Sequence, residues 1–141
     1  MGKSFAHTFA FLGGVVYLIA GVAGFVVTGF GAFVGDSPDA LFTLDLNPFH
    51  NVVHLGIGAM LLAAARIDEP GVTQGILTGG GLVLVLAAIL GFLGSLDQLL
   101  SVDGTMASDN FLHAITGVGA IVAGSTSAEP MSGRSAQPTG G

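Results

Sequence analysis

Two copies of one polar motif, Asn-x-x-His-x-x-x-Gly, stand in otherwise apolar sequence. The copies comprise Asn51, His54 and Gly58 in the first and Asn110, His113 and Gly117 in the second. On a helix, residues three apart lie on one face, so each Asn shares a stripe with its His. Imidazole can hydrogen-bond, carry a proton or ligate a metal. The motif therefore makes His54 and His113 the first candidates for chemistry.

Three interpretations of these two histidines are open. In the first they are structural, and with Asn51 and Asn110 they link helices through hydrogen bonds of about 1 kcal/mol each; Tyr17 and backbone carbonyls are further partners. In the second they bind non-covalent haem or another tetrapyrrole, since histidines on opposed helices can ligate iron from both sides. The third is a proton- or ion-coupled function. The absence of an acid from the interior of the apolar segments disfavours the third.

The other polar residues at predicted helix ends have simpler interpretations. We expect His7 and His50 to keep their polar ends in water. Asn47, which precedes a proline, is expected to cap the second helix, and Ser108 or Asp109 to cap the fourth. The sequence has no Ser nucleophile motif, no His-Glu-x-x-His and no phosphate loop. We therefore predict no catalytic residue, no separate metal site and no enzymatic activity.

The composition requires membrane helices to carry the motifs. Hydrophobic residues make up 51% of the 141 and charged residues 9%, with a mean hydropathy of +0.82, whereas a soluble domain has roughly a quarter charged residues. A helix needs about 20 apolar residues to span a bilayer. Four transmembrane helices are predicted, at about residues 5–33, 49–65, 72–96 and 109–126. The predicted fold class is an all-α membrane protein embedded in the lipid bilayer.

The two halves of the chain repeat each other. Phe25 and Phe92 occupy matching places 67 positions apart, while His54 and His113 are 59 apart. Because each half has two spans, we expect parallel helix-pair repeats related by a pseudo-two-fold axis along the membrane normal. Small residues should allow the helices to approach closely. The residues assigned to this helix packing are Ala20, Gly24, Gly58, Ala87, Gly91 and Gly117.

The few cations predict the orientation. Lys3, Arg66 and Arg134 all fall on one side of a four-span chain, and short cation-bearing loops stay cytoplasmic. We therefore predict a multi-pass plasma-membrane protein with both termini cytoplasmic. Residues 1–126 form the transmembrane domain, and the Ser-, Gly-, Pro- and Thr-rich residues 127–141 form a flexible cytoplasmic tail.

One stretch also resembles a known family. It is the element Asn47-Pro-x-His50-Asn51-x-x-His54, followed by an apolar helix and then Asp109-Asn110-x-x-His113. Over residues 4–125 the chain is similar to the DUF4383 domain family of small four-helix prokaryotic membrane proteins. The resemblance implies the fold and no activity.

The overall prediction is a small accessory or structural component of a membrane complex. Its expected partners are other membrane subunits or a second copy of the chain. Nucleic acid is excluded by a net charge of −6, and the absence of cysteine excludes disulfides and thiol chemistry.

Overall fold

The structure is a computed structural model that describes residues 4–102 and 104–126. Its elements in chain order are α1 (Phe5–Thr28), β1 (Ala40–Leu41), β2 (Leu44–Asp45), α2 (Pro48–Ala64), α3 (Pro70–Phe92), α4 (Asp97–Leu100) and α5 (Ser108–Ser125). The long helices α1, α2, α3 and α5 correspond to the four predicted segments. The β1–β2 hairpin and α4 were not predicted. The predicted tail, Lys3 and Arg134 lie outside the described residues.

Two helix boundaries differ from the prediction. α1 ends at Thr28 and does not reach residue 33, because Gly29 adopts φ 60° and ψ −147° while its N–H still donates to the Phe25 carbonyl at 3.0 Å. Glycine takes such a positive φ without the penalty of a Cβ. α3 is shifted toward the N-terminus of the predicted 72–96, because the Glu69 carboxylate accepts the N–H groups of the first turn.

The predicted cap of the second helix is confirmed, and that of the fourth is not. The Asn47 side chain accepts the His50 N–H at 2.8 Å and a proline follows it, which confirms the cap of α2. The expected cap of α5 is wrong. Ser108 and Asp109 already lie inside the first turn, and Ala107, at the cap position, has no side chain that can accept a hydrogen bond.

The helices pack as two close pairs, α1 with α2 and α3 with α5. Within the first pair, a Cβ on Gly14 would lie 2.9 Å from the Leu62 backbone nitrogen. Within the second, a Cβ on Gly81 would lie 2.6 Å from the Gly117 carbonyl oxygen. Glycine at these positions lets the backbones approach closely and gain dispersion contacts. Ala20, predicted in the same role, is only half-buried.

Hydrogen bonds at the two ends hold the pairs in register. At one end the His7 Nε2–H donates to the carbonyl of Ile67, between α2 and α3, at 2.8 Å. At the other end the Gly35 N–H donates to the Gln98 carbonyl of α4 at 2.9 Å. The connection after α1 and the connection after α3 therefore meet over the end of the bundle where α2 and α5 begin.

Among the residues that the structure describes, two helices, α1 and α3, are long and apolar enough to cross a membrane, and α2 is an apolar helix of 17 residues. The central core between the helices contains many small side chains, including Ala6, Ala10, Ala64 and Ala123. Many of the large aliphatic side chains of α1 and α3 point outward instead.

Candidate functional site

Four polar side chains converge where α2 and α5 begin. His50 and His54 come from α2, and Asp109 and His113 come from α5. Each pair is spaced i,i+4, so both members lie on the same helix face. All four are at most 1% exposed, and one ligand-type atom from each lies within 4.8 Å of the other three. We call this group the polar cluster.

The three imidazoles and the carboxylate surround one point. The ring centroids of His54 and His113 are 6.1 Å apart, and that of His50 lies 4.4 Å from the first and 6.0 Å from the second. The His50 Nε2 is 3.6 Å from the Asp109 Oδ1, which is too long for a hydrogen bond. The Tyr17 ring packs edge-on against His54 at 5.4 Å and closes the cluster on the α1 side.

Most polar atoms of the cluster have no hydrogen-bond partner within the described ranges. These atoms are the Nε2 of His50 and both ring nitrogens of His54 and His113, while the backbone N–H groups of Asp45 and Asp109 face the Asp109 carboxylate. Leaving such a buried group unsatisfied costs about 1–3 kcal/mol, and more than nine in ten buried polar groups are paired in folded proteins. The concentration of unpaired atoms in one place therefore makes the cluster a candidate binding site.

The connections between helices cover the cluster. The Asn47 Nδ2 donates to the carbonyls of Gly35 and Leu99 at 3.1 Å each, so one amide joins the connection after α1 to α4. Leu46 and Val102 are fully buried in this cover. The chain that joins the helices thereby excludes solvent from the polar groups at their ends.

The structure brings His54 and His113 together, as their matching positions suggested, but the asparagines bond elsewhere. The Asn51 Nδ2 donates to the Thr28 Oγ1 at 2.8 Å, and the Asn110 Nδ2 donates to the Thr105 carbonyl at 3.3 Å. The expected Asn–His hydrogen bonds are therefore wrong for both motifs.

Each motif asparagine instead faces a glycine of the neighbouring helix. A Cβ on Gly24 would collide with the Asn51 Oδ1, and a Cβ on Gly91 with the Asn110 Oδ1. A hydrogen occupies the place of that Cβ, so each oxygen accepts a Cα–H contact. Gly24 and Gly91 are therefore helix-contact positions.

Two cluster members were misjudged from the sequence. His50 was expected to be wet and is fully buried, and Asp109 was treated as a helix-end acid and is also fully buried. The overlooked signal is that an ionisable residue precedes the asparagine in both motifs, four residues before the histidine. That spacing places His50 beside His54 and Asp109 beside His113 on their helices.

The cluster suits a small ion better than a tetrapyrrole. A macrocycle held between His54 and His113 would extend several ångströms from its metal in every direction within its plane. The His50 ring, close to both of the other rings, would overlap it. The residues present therefore do not fit the haem hypothesis.

Fold and site together define a small, mostly helical protein with two candidate membrane-spanning helices and a closed polar centre. Residues 7–126 match the family model described as Domain of unknown function (DUF4383), and the chain belongs to this family. No curated protein and no solved structure matches the chain significantly. The family membership confirms the resemblance found in the sequence.

Proposed function

We propose that the chain is an integral membrane protein that crosses the bilayer four times and serves as a small accessory component of a membrane assembly. The observation that carries the membrane assignment is the apolar exterior. In α1 and in α3, only 28% of the most apolar 18-residue stretch is buried. A core helix of a soluble protein is mostly buried. Ile19, Val26 and Val83 are 63%, 82% and 66% exposed. Exposing such an apolar surface to water is unfavourable, and contact with lipid removes it from water.

The length of the other two long helices supports four spans. α2 has 17 residues and α5 has 18, which gives about 25–27 Å at 1.5 Å per residue. This is close to the roughly 30 Å of the hydrocarbon core. Each helix packs closely with one of the two longer apolar helices.

The packing contacts support a parallel repeat of two helix pairs. Three contacts of α1 with α2 have counterparts between α3 and α5 that are displaced by 67 positions on the first helix and 59 on the second, the same offsets as in the sequence. The matched contacts are Gly14–Leu62 with Gly81–Ile121, Gly58–Leu18 with Gly117–Val85, and Gly24–Asn51 with Gly91–Asn110.

Cysteine labelling tests the topology. The chain has no cysteine, so introduced thiols are labelled without background. In the proposed plasma-membrane orientation, with both termini cytoplasmic, a membrane-impermeant maleimide added to intact cells should label Ala40→Cys, in β1. It should label Asp68→Cys, between α2 and α3, only after permeabilisation. Both positions are exposed. Labelling of Asp68→Cys in intact cells, or recovery of the chain in the soluble fraction, would contradict the proposal.

The assembly role is supported by two glycines of α3 that leave the helix backbone uncovered on the surface of the bundle. Gly75 and Gly79 of α3 form a Gly-x-x-x-Gly pair, and no other atom lies within 4 Å of where their Cβ atoms would be. Beside them, a cavity of about 410 Å³ between α2 and α3 is lined partly by Gly56 and Gly80. Such small-residue faces allow another membrane helix to approach closely. The partner is another membrane subunit or a second copy, and the proposal assigns the chain no catalytic role.

Native electrophoresis of gently solubilised membranes tests this role. The wild-type chain should migrate as a complex larger than its monomer, and Gly79→Leu should release the monomer by blocking the helix face. Val16→Leu is the matched control, because it alters an outward-facing residue of α1 that lines neither this cavity nor the one on α1. A wild-type chain that is monomeric in every mild detergent would refute the assembly role.

A further inference from the structure

The polar cluster contains a set of donor atoms that a metal ion would use. We propose that it binds one divalent transition-metal ion of zinc type through His50, His54, His113 and Asp109. Three imidazole nitrogens and one carboxylate oxygen suit zinc and neighbouring ions, whereas magnesium and calcium prefer oxygen ligands alone. The site does not depend on how many helices span the membrane.

The distances fit one small ion. Bonds of about 2.0–2.1 Å in a tetrahedral site place the ligand atoms about 3.3 Å apart. The His50 Nε2 and Asp109 Oδ1 are already 3.6 Å apart, and the whole set lies within 4.8 Å. The other separations exceed the tetrahedral spacing by about 1.5 Å at most, and side-chain rotation of His54 and His113 on ion binding would have to close that difference.

A hydrogen bond at the Nδ1 of His50 leaves the Nε2 of the same ring available as a metal ligand. Its Nδ1 lies 3.2 Å from the Asp45 carbonyl, which can only accept, so the proton is on Nδ1. In the neutral ring the Nε2 then carries the free lone pair, and this nitrogen lies 3.6 Å from the Asp109 Oδ1. A metal-ligating histidine commonly donates its other N–H to a backbone carbonyl in this way.

Charge balance points to the same kind of ligand. Asp109 is fully buried, and a buried carboxyl group stays ionised only beside a positive charge or a metal ion; otherwise it takes up a proton. In the part of the chain that the structure describes, the sole Lys or Arg is Arg66, whose guanidinium donates to the Leu62 carbonyl at the opposite end of α2. A dication among the three imidazoles would supply the missing positive charge.

The closed geometry indicates a structural ion. Catalytic zinc sites keep a position open to water or substrate, whereas structural sites use four protein ligands and are closed. Here all four candidate ligands are buried beneath the connections between the helices. Since His50 and His54 belong to the first helix pair and Asp109 and His113 to the second, the ion would fasten the two pairs together.

Metal titration of the full-length chain tests the site. The protein is purified in detergent, treated with a chelator and titrated with Zn²⁺ against a chromophoric competitor. We expect one ion per chain, with affinity lowered at least about 100-fold in His54→Gln and in Asp109→Asn. His7→Gln, which changes a histidine outside the cluster, should bind as the wild type does. Failure of the folded wild type to bind zinc, or unchanged affinity in both cluster variants, would overturn the proposal.

X-ray absorption on the zinc-loaded wild type gives an answer even where a variant does not fold. The expected shell is about three imidazole nitrogens and one carboxylate oxygen at about 2.0–2.1 Å. Co²⁺ in the same site should give the intense visible absorption of tetrahedral coordination. A six-coordinate shell of oxygen atoms without imidazole scattering would mean adventitious surface binding, and would refute the site.

Discussion

The Gly91→Ala variant tests whether the contact with Asn110 requires glycine at position 91, or whether glycine stands there only because it is common in this chain. The new methyl group would collide with the Asn110 Oδ1, so the amide must move away. It would then lose its contacts with the Thr105 and Gly104 carbonyls, at 3.3 and 3.5 Å. The matched control is Gly79→Ala in the same helix, where a Cβ meets no other atom within 4 Å.

The expected cost follows from three contributions. Forcing extra volume into a packed contact costs about 1–3 kcal/mol, and stranding a buried amide costs about 1–3 kcal/mol. Replacing glycine by alanine inside a helix stabilises the folded state by about 1 kcal/mol, which offsets part of this cost. We expect Gly91→Ala to lower the free energy of unfolding by about 3 kcal/mol. Gly79→Ala should leave that free energy unchanged or raise it by up to about 1 kcal/mol.

The assay is reversible unfolding in mixed micelles, followed by far-ultraviolet circular dichroism. A double-mutant cycle isolates the contact: once Asn110→Ala has removed the amide, Gly91→Ala should cost much less. If Gly91→Ala and Gly79→Ala unfold within about 0.5 kcal/mol of each other, the argument that Asn110 requires a glycine opposite it is wrong.

Three further predictions use the same unfolding assay. Asn51→Leu and His54→Leu should be additive within about 0.5 kcal/mol, because Asn51 donates to Thr28 and neither ring nitrogen of His54 bonds to Asn51; a larger coupling would support a direct hydrogen bond between the two side chains. Asn47→Ala should cost about 2–3 kcal/mol, since it removes a helix cap and two hydrogen bonds to the covering loops, and Asn47→Ser, which keeps a neutral capping oxygen, should cost less; equal costs would mean that the cap contributes nothing. Zinc at 100 times its Kd should stabilise the wild type by about 2.7 kcal/mol and leave Asp109→Asn unmoved, so an equal shift in both would contradict the metal site.

Local signals in the sequence predicted much of the helical architecture. Continuous apolar runs located the four long helices, since a helix satisfies its own backbone hydrogen bonds wherever the run lies. Asn47 before a proline located the start of α2, because a helix cap depends only on residues within one turn of it. The repeated motif and its spacing identified His54 and His113, which are two of the four members of the polar cluster.

Contacts between distant segments decided the rest. Residues 30–33 are as apolar as the helix before them, yet α1 ends at Thr28, where Gly29 takes a positive φ and the chain turns to cover the bundle. Of the run of three glycines that ends at Gly81, only the last packs against the α5 backbone. Which glycine forms a contact depends on the neighbouring helix, so composition could not distinguish them.

The polar cluster itself is a product of tertiary structure. By sequence, His50 and Asp109 stand at helix ends, where side chains are ordinarily wet. Their burial results from two connections that meet above them, joined through Asn47. The sequence determined which residues share a helix face, because that follows from 3.6 residues per turn. Only the packing of α2 near α5 under that cover decided that two such faces meet, because the cover joins residues more than fifty positions apart.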